Sequence, residues 1–320
     1  MVNRRDIIQA VYQKVGQVRA DAYLAYQQYQ AYIQSESEKS RAMLAKTDLS
    51  PDAITQAYEA KVNEIQSRAH GLFDRLGAVA YDWDNPNWMS FIKSPVMTNP
   101  DDICVGFIET DYDALGIEKI PVLVPLFKSH ILLVSEGKAK VWARQLLRSM
   151  MIRLVATLPA QTATFTFFDP YGAGANFVFD KLPASVRGER VLTKPDELNE
   201  TLGNMTADMS ASNTDDGAYQ ILGLADFPSR INADSAKFVY QIAQTGMTAH
   251  KMIIAHVDAD IAFPEGYTLD QLTPHAQVIY LTETTTHITL DNQNLTFMPD
   301  TEPNTQLLDD LLQQVRSRYA

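Results

Sequence analysis

Two residues in the middle of the chain, Gly137 and Lys138, have the identity and spacing of a partial phosphate loop. A complete loop, G-x-x-x-x-G-K-[ST], holds phosphates with backbone N–H groups and a lysine, and its hydroxyl residue binds Mg²⁺. Here Ala139 follows the lysine, and Leu132 occupies the position of the first glycine. The magnesium ligand and half of the backbone cradle are missing, so a plain turn is the alternative interpretation of Gly137 and Lys138.

A P-loop ATPase also needs carboxylates at the end of a second strand, where they hold Mg²⁺ and polarise water. The apolar segment from Tyr219 to Ala225 is a suitable strand, and one carboxylate, Asp226, follows it. Asp226 is therefore a candidate nucleotide-binding residue if the chain uses ATP and Mg²⁺. The alternative is that a lone acid at a strand end is solvated or caps a helix.

A basic stripe formed by Lys140, Arg144 and Arg148 follows the partial loop. The four-residue spacing places these side chains on one face of a helix, so they could face a phosphate group or an acidic partner. The alternative is a solvated helix face. Further along, the segment from Gly172 to Phe177 lacks the third glycine of a dinucleotide fingerprint, so we expect its two glycines to form a sharp turn.

Other chemistries find no support in the sequence. The six histidines show no metal-ligand spacing, a single cysteine excludes an internal disulfide, and no G-x-S-x-G elbow occurs. We therefore predict no catalytic residue and no metal-binding residue. No cofactor is expected, and ATP with Mg²⁺ belongs to the alternative hypothesis.

The elements that must position these residues alternate between strand and helix. Apolar strands are predicted at Ile131 to Val134 and at Ala163 to Phe168, with a helix between them, which is a βαβ unit. Later predicted helices cover about Pro195 to Met209, Ala233 to Gln244 and Thr305 to Tyr319, and later strands cover 219–225, 252–257, 278–282 and 287–290. This pattern predicts an α/β fold with a mostly parallel sheet and helices on both faces.

The first 76 residues predict a helical hairpin. Apolar residues from Val11 to Tyr32 repeat with heptad spacing in a helix over 6–45, and Ser50 and Pro51 begin a second amphipathic helix. We expect the two helices to pack antiparallel and to resemble a coiled coil. The predicted organisation is a hairpin over 1–76, an ordered linker and edge segment over 77–119, an α/β domain over 120–300 and a C-terminal helix over 301–320.

Charge and hydropathy limit the function classes. The 320-residue chain has a net charge of −12. Because residues 1–75 carry 10 Lys/Arg and 9 Asp/Glu, or +1, the rest carries −13. A surface this acidic repels phosphate backbones, so tight DNA binding by this chain alone is not expected. No apolar run reaches membrane-spanning length and no signal peptide is seen, which predicts a cytoplasmic protein.

The order of these segments resembles the FtsK/SpoIIIE-type motor ATPases, and in particular a degenerate RecA-like module. The matching segments are 130–134 (HILLV), 143–160, 165–177 (FTFFDPYGAGANF), 218–231 and 243–260. Tyr171 stands where the family has the lysine of its Asp-Pro-Lys strand end, and Ala225 stands where it has the first acid of its acidic motif. The resemblance implies a P-loop NTPase fold and ATP-driven DNA translocation in rings, while the altered positions imply a pseudo-ATPase.

Three functions follow as expectations. The first is a non-catalytic structural module that contributes oligomerisation or partner docking to an FtsK/SpoIIIE-like ATPase. Its partners would be an active motor ATPase domain or subunit, or other proteins that bind the hairpin. The second is an ATP-binding motor in which Lys138 contacts phosphate and Asp226 acts on the metal. The third is a protein–protein adaptor unrelated to DNA.

Overall fold

The chain divides into two compact units, Met1–Ile65 and Gln66–Ala320. The computed structural model describes most of the second unit. The described residues are 38, 51–95, 100–109, 119–177, 182, 186, 190–211, 218–290 and 293–319. The predicted first helix, over 6–45, lies outside them, so the helical hairpin stays a prediction. The second helix of that hairpin is present as α1, Pro51–Leu76.

The second unit contains nine strands and five further helices in its described part. The strands are β1 (Asp102–Glu109), β2 (Lys119–Pro125), β3 (His130–Ser135), β4 (Ala163–Phe168), β5 (Tyr219–Phe227), β6 (Lys251–Asp258), β7 (Ala276–Leu281), β8 (Thr286–Leu290) and β9 (Gln293–Pro299). The helices are α2 (Asn87–Lys93), α3 (Lys140–Thr157), α4 (Pro195–Ala211), α5 (Ala233–Thr245) and α6 (Thr305–Tyr319).

All nine strands form one sheet in the order β2-β1-β9-β8-β7-β3-β6-β5-β4. The five strands from β7 to β4 run parallel, and the pairs from β7 to β2 are antiparallel. The predicted α/β class with a mostly parallel core is confirmed. The antiparallel extension is a finding that the sequence did not predict, because β9 was missed; β1 lies within residues 77–119, which were predicted as an ordered linker and edge segment.

Helices cover both faces of the sheet, as predicted. One core packs α3 and α6 against the sheet through side chains such as Leu147 and Leu311. The opposite core packs α4 and α5 through side chains such as Leu202 and Val239. Strand β3 is buried at all six positions, which explains the apolar run from Ile131 to Val134. Within the described residues, no helix is long and apolar enough to cross a membrane.

The tryptophan-containing segment before β1 packs against α3. Trp83 and Trp88 stack with a centroid separation of 4.9 Å, and the guanidinium of Arg153 lies 4.1 Å from the centre of the Trp83 ring. Arg153 is 1% exposed and donates from Nε to Asp300 at 2.6 Å. Because a buried cation is stable only when paired and hydrogen-bonded, this contact holds α3, β9 and the tryptophan segment in one arrangement.

Candidate functional site at the carboxyl edge of the parallel strands

The turn between β3 and α3 has the position of a phosphate loop. Two carboxylates accept hydrogen bonds from its backbone N–H groups. Gly137 has a φ of +55°, and its N–H donates to Asp260 Oδ2 at 3.0 Å. The next N–H, of Lys138, donates to Glu283 Oε1 at 3.4 Å. Asp260 follows β6 and Glu283 follows β7, the two neighbours of β3 in the sheet. The N–H groups that could hold a phosphate are thus bonded to acids of the same chain.

Lys140, the first residue of the stripe, is paired with two carboxylates. Its Nζ lies 2.7 Å from Asp258 Oδ1 and 2.8 Å from Asp260 Oδ2. Partial burial acts to lower the pKa of Lys140, but the hydrogen bonds to Asp258 and Asp260 outweigh it and raise that pKa above its ordinary value. The hydrogen bond from Lys140, helped by the N–H of Gly137, lowers the pKa of Asp260. Lys140 therefore offsets part of the negative charge of Asp258 and Asp260.

Arg144, the second residue of the stripe, contacts Asp226 at the end of β5. Its Nε and Nη2 lie 3.0 and 2.9 Å from the same oxygen, Asp226 Oδ1. Asp226 is 1% exposed, so the expectation that this acid is solvated is wrong. Burial acts to raise the pKa of Asp226, but His256 and Arg144 outweigh it and hold that pKa below its usual value. Asp226 is therefore a charged, buried partner of the stripe.

His256 and Ser135 complete a polar row across three strands. His256 Nδ1 lies 2.9 Å from Asp226 Oδ1, and His256 Nε2 lies 2.8 Å from Ser135 Oγ. This is the connectivity of a Ser-His-Asp catalytic triad. Ser135 and His256 are, however, 2% and 0% exposed. A nucleophile must reach its substrate, so the row is structural in this conformation.

Arg148, the third residue of the stripe, pairs with Glu302 at 2.7 Å. Each cation of the stripe thus has a carboxylate partner within the chain, on β5, after β6 or after β9. The roles assigned to the stripe, binding phosphate or an acidic partner, stay predictions. The structure adds that a ligand would have to compete with these intramolecular ion pairs.

The glycine-rich segment after β4 wraps around a carboxylate. Asp169 is fully buried, and it accepts hydrogen bonds from the N–H groups of Gly172 and Gly174 at 2.8 and 2.9 Å. Gly174 has a φ of +100°, and a Cβ on Gly172 would lie 2.5 Å from Asp169 Oδ2. The two glycines therefore permit a sharp turn around Asp169, as expected from the sequence.

The site fits ATP and Mg²⁺ poorly. Ala139 supplies no hydroxyl, and Asp226 already shares its Oδ1 atom with Arg144 and His256. Among the described residues, no group of three or more His, Cys, Asp or Glu side chains is arranged to hold a metal ion. The side chain of Lys138 is exposed and makes no ion pair within the described ranges.

Sequence reasoning missed four residues that contact the polar groups of the candidate site: Ser135, His256, Asp260 and Glu283. One signal was present in the sequence. Residues 258–260, Asp-Ala-Asp, follow a buried parallel strand, and the carboxyl ends of parallel strands meet at one edge. Acids in such a position lie next to any helix that begins at the same edge.

Comparison with known proteins identifies the fold. No protein-family model and no curated protein sequence matches the chain. A structure of EssC (ATPases 2 and 3) from Geobacillus thermodenitrificans aligns with a TM-score of 0.52 and 11% identity, over 70% of this chain and 50% of that chain. The chain therefore has the mixed, mostly parallel α/β fold of these ATPase domains.

Two further structures align at lower TM-scores. The cytoplasmic domain of EssC aligns at a TM-score of 0.48 and 12% identity, over 68% of this chain and 49% of that chain. The cytoplasmic domain of the Thermomonospora curvata type VII secretion ATPase EccC aligns at 0.49 and 12%, over 67% and 28%. This chain spans half or less of the length of each of the three ATPase chains.

Proposed function

We propose that this chain is a non-catalytic assembly module of an FtsK/SpoIIIE-type ATPase, which contributes oligomerisation or partner docking instead of ATP hydrolysis. One observation carries the proposal: the N–H groups of Gly137 and Lys138 are bonded to Asp260 and Glu283. A nucleotide phosphate at this turn would have to displace two carboxylates and then lie beside their negative charge. The fold shared with ATPase domains supports a place in an ATPase assembly.

The catalytic half of the proposal is tested with nucleotide. Isothermal titration of the purified chain with ATP and Mg²⁺ at millimolar concentration should give no binding heat, and a phosphate-release assay should give no turnover. Trp142, 39% exposed in the first turn of α3, supplies a fluorescence signal beside the same loop. ATP turnover that Lys138→Ala abolishes would overturn the proposal and support the ATP-binding motor instead.

A pair of double variants tests whether the two carboxylates prevent a phosphate from binding at the turn. The double variant Asp260→Asn, Glu283→Gln removes both charges from the turn and keeps side chains of similar size. The matched control, Asp270→Asn with Glu265→Gln, removes two acids elsewhere on the same unit. If the carboxylates block the loop, inorganic phosphate should bind more tightly to the first variant than to the control. Equal phosphate affinities of the variant and the control would mean that the carboxylates do not prevent phosphate binding at the turn.

The assembly half is tested with partners. We propose that the partner is an active motor ATPase domain or subunit and that the helical hairpin contributes to docking. Deleting residues 1–76 removes the whole predicted hairpin, including α1, Pro51–Leu76, and keeps the α/β part of the chain from residue 77 onward. Sedimentation velocity should show that the deleted protein loses the self-association or the co-sedimenting motor ATPase of the full chain. Full retention of both would count against a role for the hairpin.

A further inference from the structure

Strand β5 contains an extra residue near its carboxyl end. Its pairing with β6 is regular up to Leu224 and is shifted at Phe227, which is a β-bulge. Leu224 and Phe227 both face the core formed with α4 and α5, and a regular strand would turn Asp226 towards that same core. The bulge instead brings the carboxylate of Asp226 to Arg144 of α3, on the opposite face of the sheet.

The conformation of Asp226 is unfavourable without its ion pair. Its φ of +53° lies in the left-handed region, which a residue with a Cβ rarely adopts. Its side chain is 2% exposed, and its Oδ2 atom has no hydrogen-bond partner among the described residues. The Oδ1 atom lies 3.0 and 2.9 Å from Nε and Nη2 of Arg144, and 2.9 Å from Nδ1 of His256. Because a buried carboxylate that loses its cation is strongly destabilised, Arg144 stabilises this conformation.

The turn of residues 226–229 links Asp226 to an exposed aromatic residue. The N–H of Ser229 donates to the carbonyl of Asp226 at 2.7 Å, and Ser229 Oγ donates to Tyr171 Oη at 2.9 Å. Tyr171 is 62% exposed, and the guanidinium of Arg230 lies 5.1 Å from the centre of its ring. The backbone of Asp226 thus positions Ser229, and Ser229 holds Tyr171.

Arg144 is the accessible member of the ion pair, because its side chain is 38% exposed. We propose that the contact of Arg144 with Asp226 is a latch that couples the basic stripe to Tyr171. When Arg144 leaves, Asp226 turns its carboxylate towards water and its backbone leaves the left-handed region, so the turn opens and Ser229 releases Tyr171. Arg144 is then the point at which an acidic group of a partner acts on Tyr171. The latch lies within the chain, so it does not depend on the assembly role proposed above.

Native-state hydrogen exchange at the Ser229 amide tests the latch. Ser229 is 3% exposed and its N–H is bonded, so the amide should be protected in the native protein. Arg144→Met keeps the aliphatic part of the side chain and should speed exchange at Ser229 by about tenfold or more. The amide of Ala236, which donates to the carbonyl of Asn232 at the start of α5, is the internal reference and should change by less than about threefold.

Two further variants separate the latch from a general loss of stability. Arg148 is 34% exposed and pairs with Glu302, so Arg148→Met should leave exchange at Ser229 unchanged. In an Asp226→Gly background no carboxylate is buried and glycine accepts a positive φ, so adding Arg144→Met should no longer affect Ser229. Unchanged exchange at Ser229 in Arg144→Met, an equal change at the reference amide, or the same effect of Arg144→Met in both backgrounds would overturn the proposal.

A fluorine label reports the release of Tyr171. In protein that contains fluorotyrosine, the resonance of Tyr171 is assigned by its loss in Tyr171→Phe. That resonance should move towards the position of free fluorotyrosine in Arg144→Met and should stay in place in Arg148→Met. A Tyr171 resonance that Arg144→Met does not move, or that both substitutions move equally, would overturn the coupling.

Discussion

The stability of the α/β unit should depend on pH through one buried histidine, His130. The ring is 1% exposed at the start of β3 and is hydrogen-bonded at both nitrogens. Nδ1 accepts from the N–H of Ile253 at 2.9 Å, and Nε2 donates to the carbonyl of Ala243 at 3.0 Å. A ring bonded in this way is neutral, and burial lowers the pKa of His130 from 6.5 to about 4.

The sign and size of the effect follow from this pKa. The unfolded chain takes up the proton near pH 6.5, whereas the folded chain resists it until about pH 4. Unfolding therefore becomes easier as the pH falls between these values, and the contribution of His130 levels off below about pH 4. The gap between these two pKa values corresponds to roughly 3 kcal/mol of unfolding free energy in full, of which roughly 2 kcal/mol is lost by about pH 5.

The assay is urea unfolding between about pH 8 and about pH 5, followed by tryptophan fluorescence. All three tryptophans belong to the second compact unit, so the signal reports that unit alone. In His130→Asn, which keeps an acceptor for Ile253, the loss of stability between these pH values should be about 2 kcal/mol smaller than in the native protein. Leu202→Ala, a core substitution without a titrating group, controls for reduced stability as such.

Parallel pH profiles of the unfolding free energy in the native protein and in His130→Asn would refute this reasoning. If native protein and His130→Asn lose the same free energy of unfolding between about pH 8 and about pH 5, the proton taken up on unfolding does not belong to His130. If Leu202→Ala flattens the profile as much as His130→Asn does, the flattening comes from lower stability and not from the histidine.

Substitutions at three further positions test the packing that positions the site. Gly223→Ala should destabilise by about 1–3 kcal/mol in urea unfolding, because its Cβ would lie 2.8 Å from the Phe167 ring. Phe127 has a φ of +60° and stacks on Tyr219 at 3.9 Å, so Phe127→Gly should be less destabilising than Phe127→Ala by about 1 kcal/mol, and the opposite order would contradict this account. Arg318 donates to three carbonyls at the end of α3, so Arg318→Met should cost about 1.5–3 kcal/mol, with Arg318→Lys as the control that keeps the charge.

Much of the fold could be predicted because buried elements leave a strong pattern in the sequence. The prediction of β4 at Ala163 to Phe168 and of α6 at Thr305 to Tyr319 matches the observed bounds. Strand β9 was missed because its sequence, QNLTFMP, begins with polar residues and ends on a proline, and Met298 is exposed. Without β9 nothing joins β1 and β2 to the parallel core, so the antiparallel half of the sheet could not be predicted.

The candidate site was harder to predict, because its contacts join residues that are distant in the sequence. Lys138 could be placed from the partial loop motif and the stripe from helix periodicity, and both are local properties of the sequence. Asp260 lies 123 residues after Gly137, and Glu283 lies 145 residues after Lys138. Spacing within one segment cannot show that these acids reach the turn. The strand order is required for that step, because it places the ends of β6 and β7 on either side of β3.

At the carboxyl edge of the sheet, backbone N–H groups that could bind an external anion are bonded to carboxylates of the same chain. At the turn before α3, backbone donors that suit a phosphate bind Asp260 and Glu283, and after β4 the donors of the glycine turn bind Asp169. A net charge of −12 makes each added anion less favourable, so these internal carboxylates are also easier to keep than an external phosphate. Asp260 also anchors α3 through Lys140, which gives this acid a structural role that does not depend on any ligand. In this chain, carboxylates that belong to the protein bond the backbone N–H groups at the edge of the sheet, and this arrangement supports the proposed non-catalytic role.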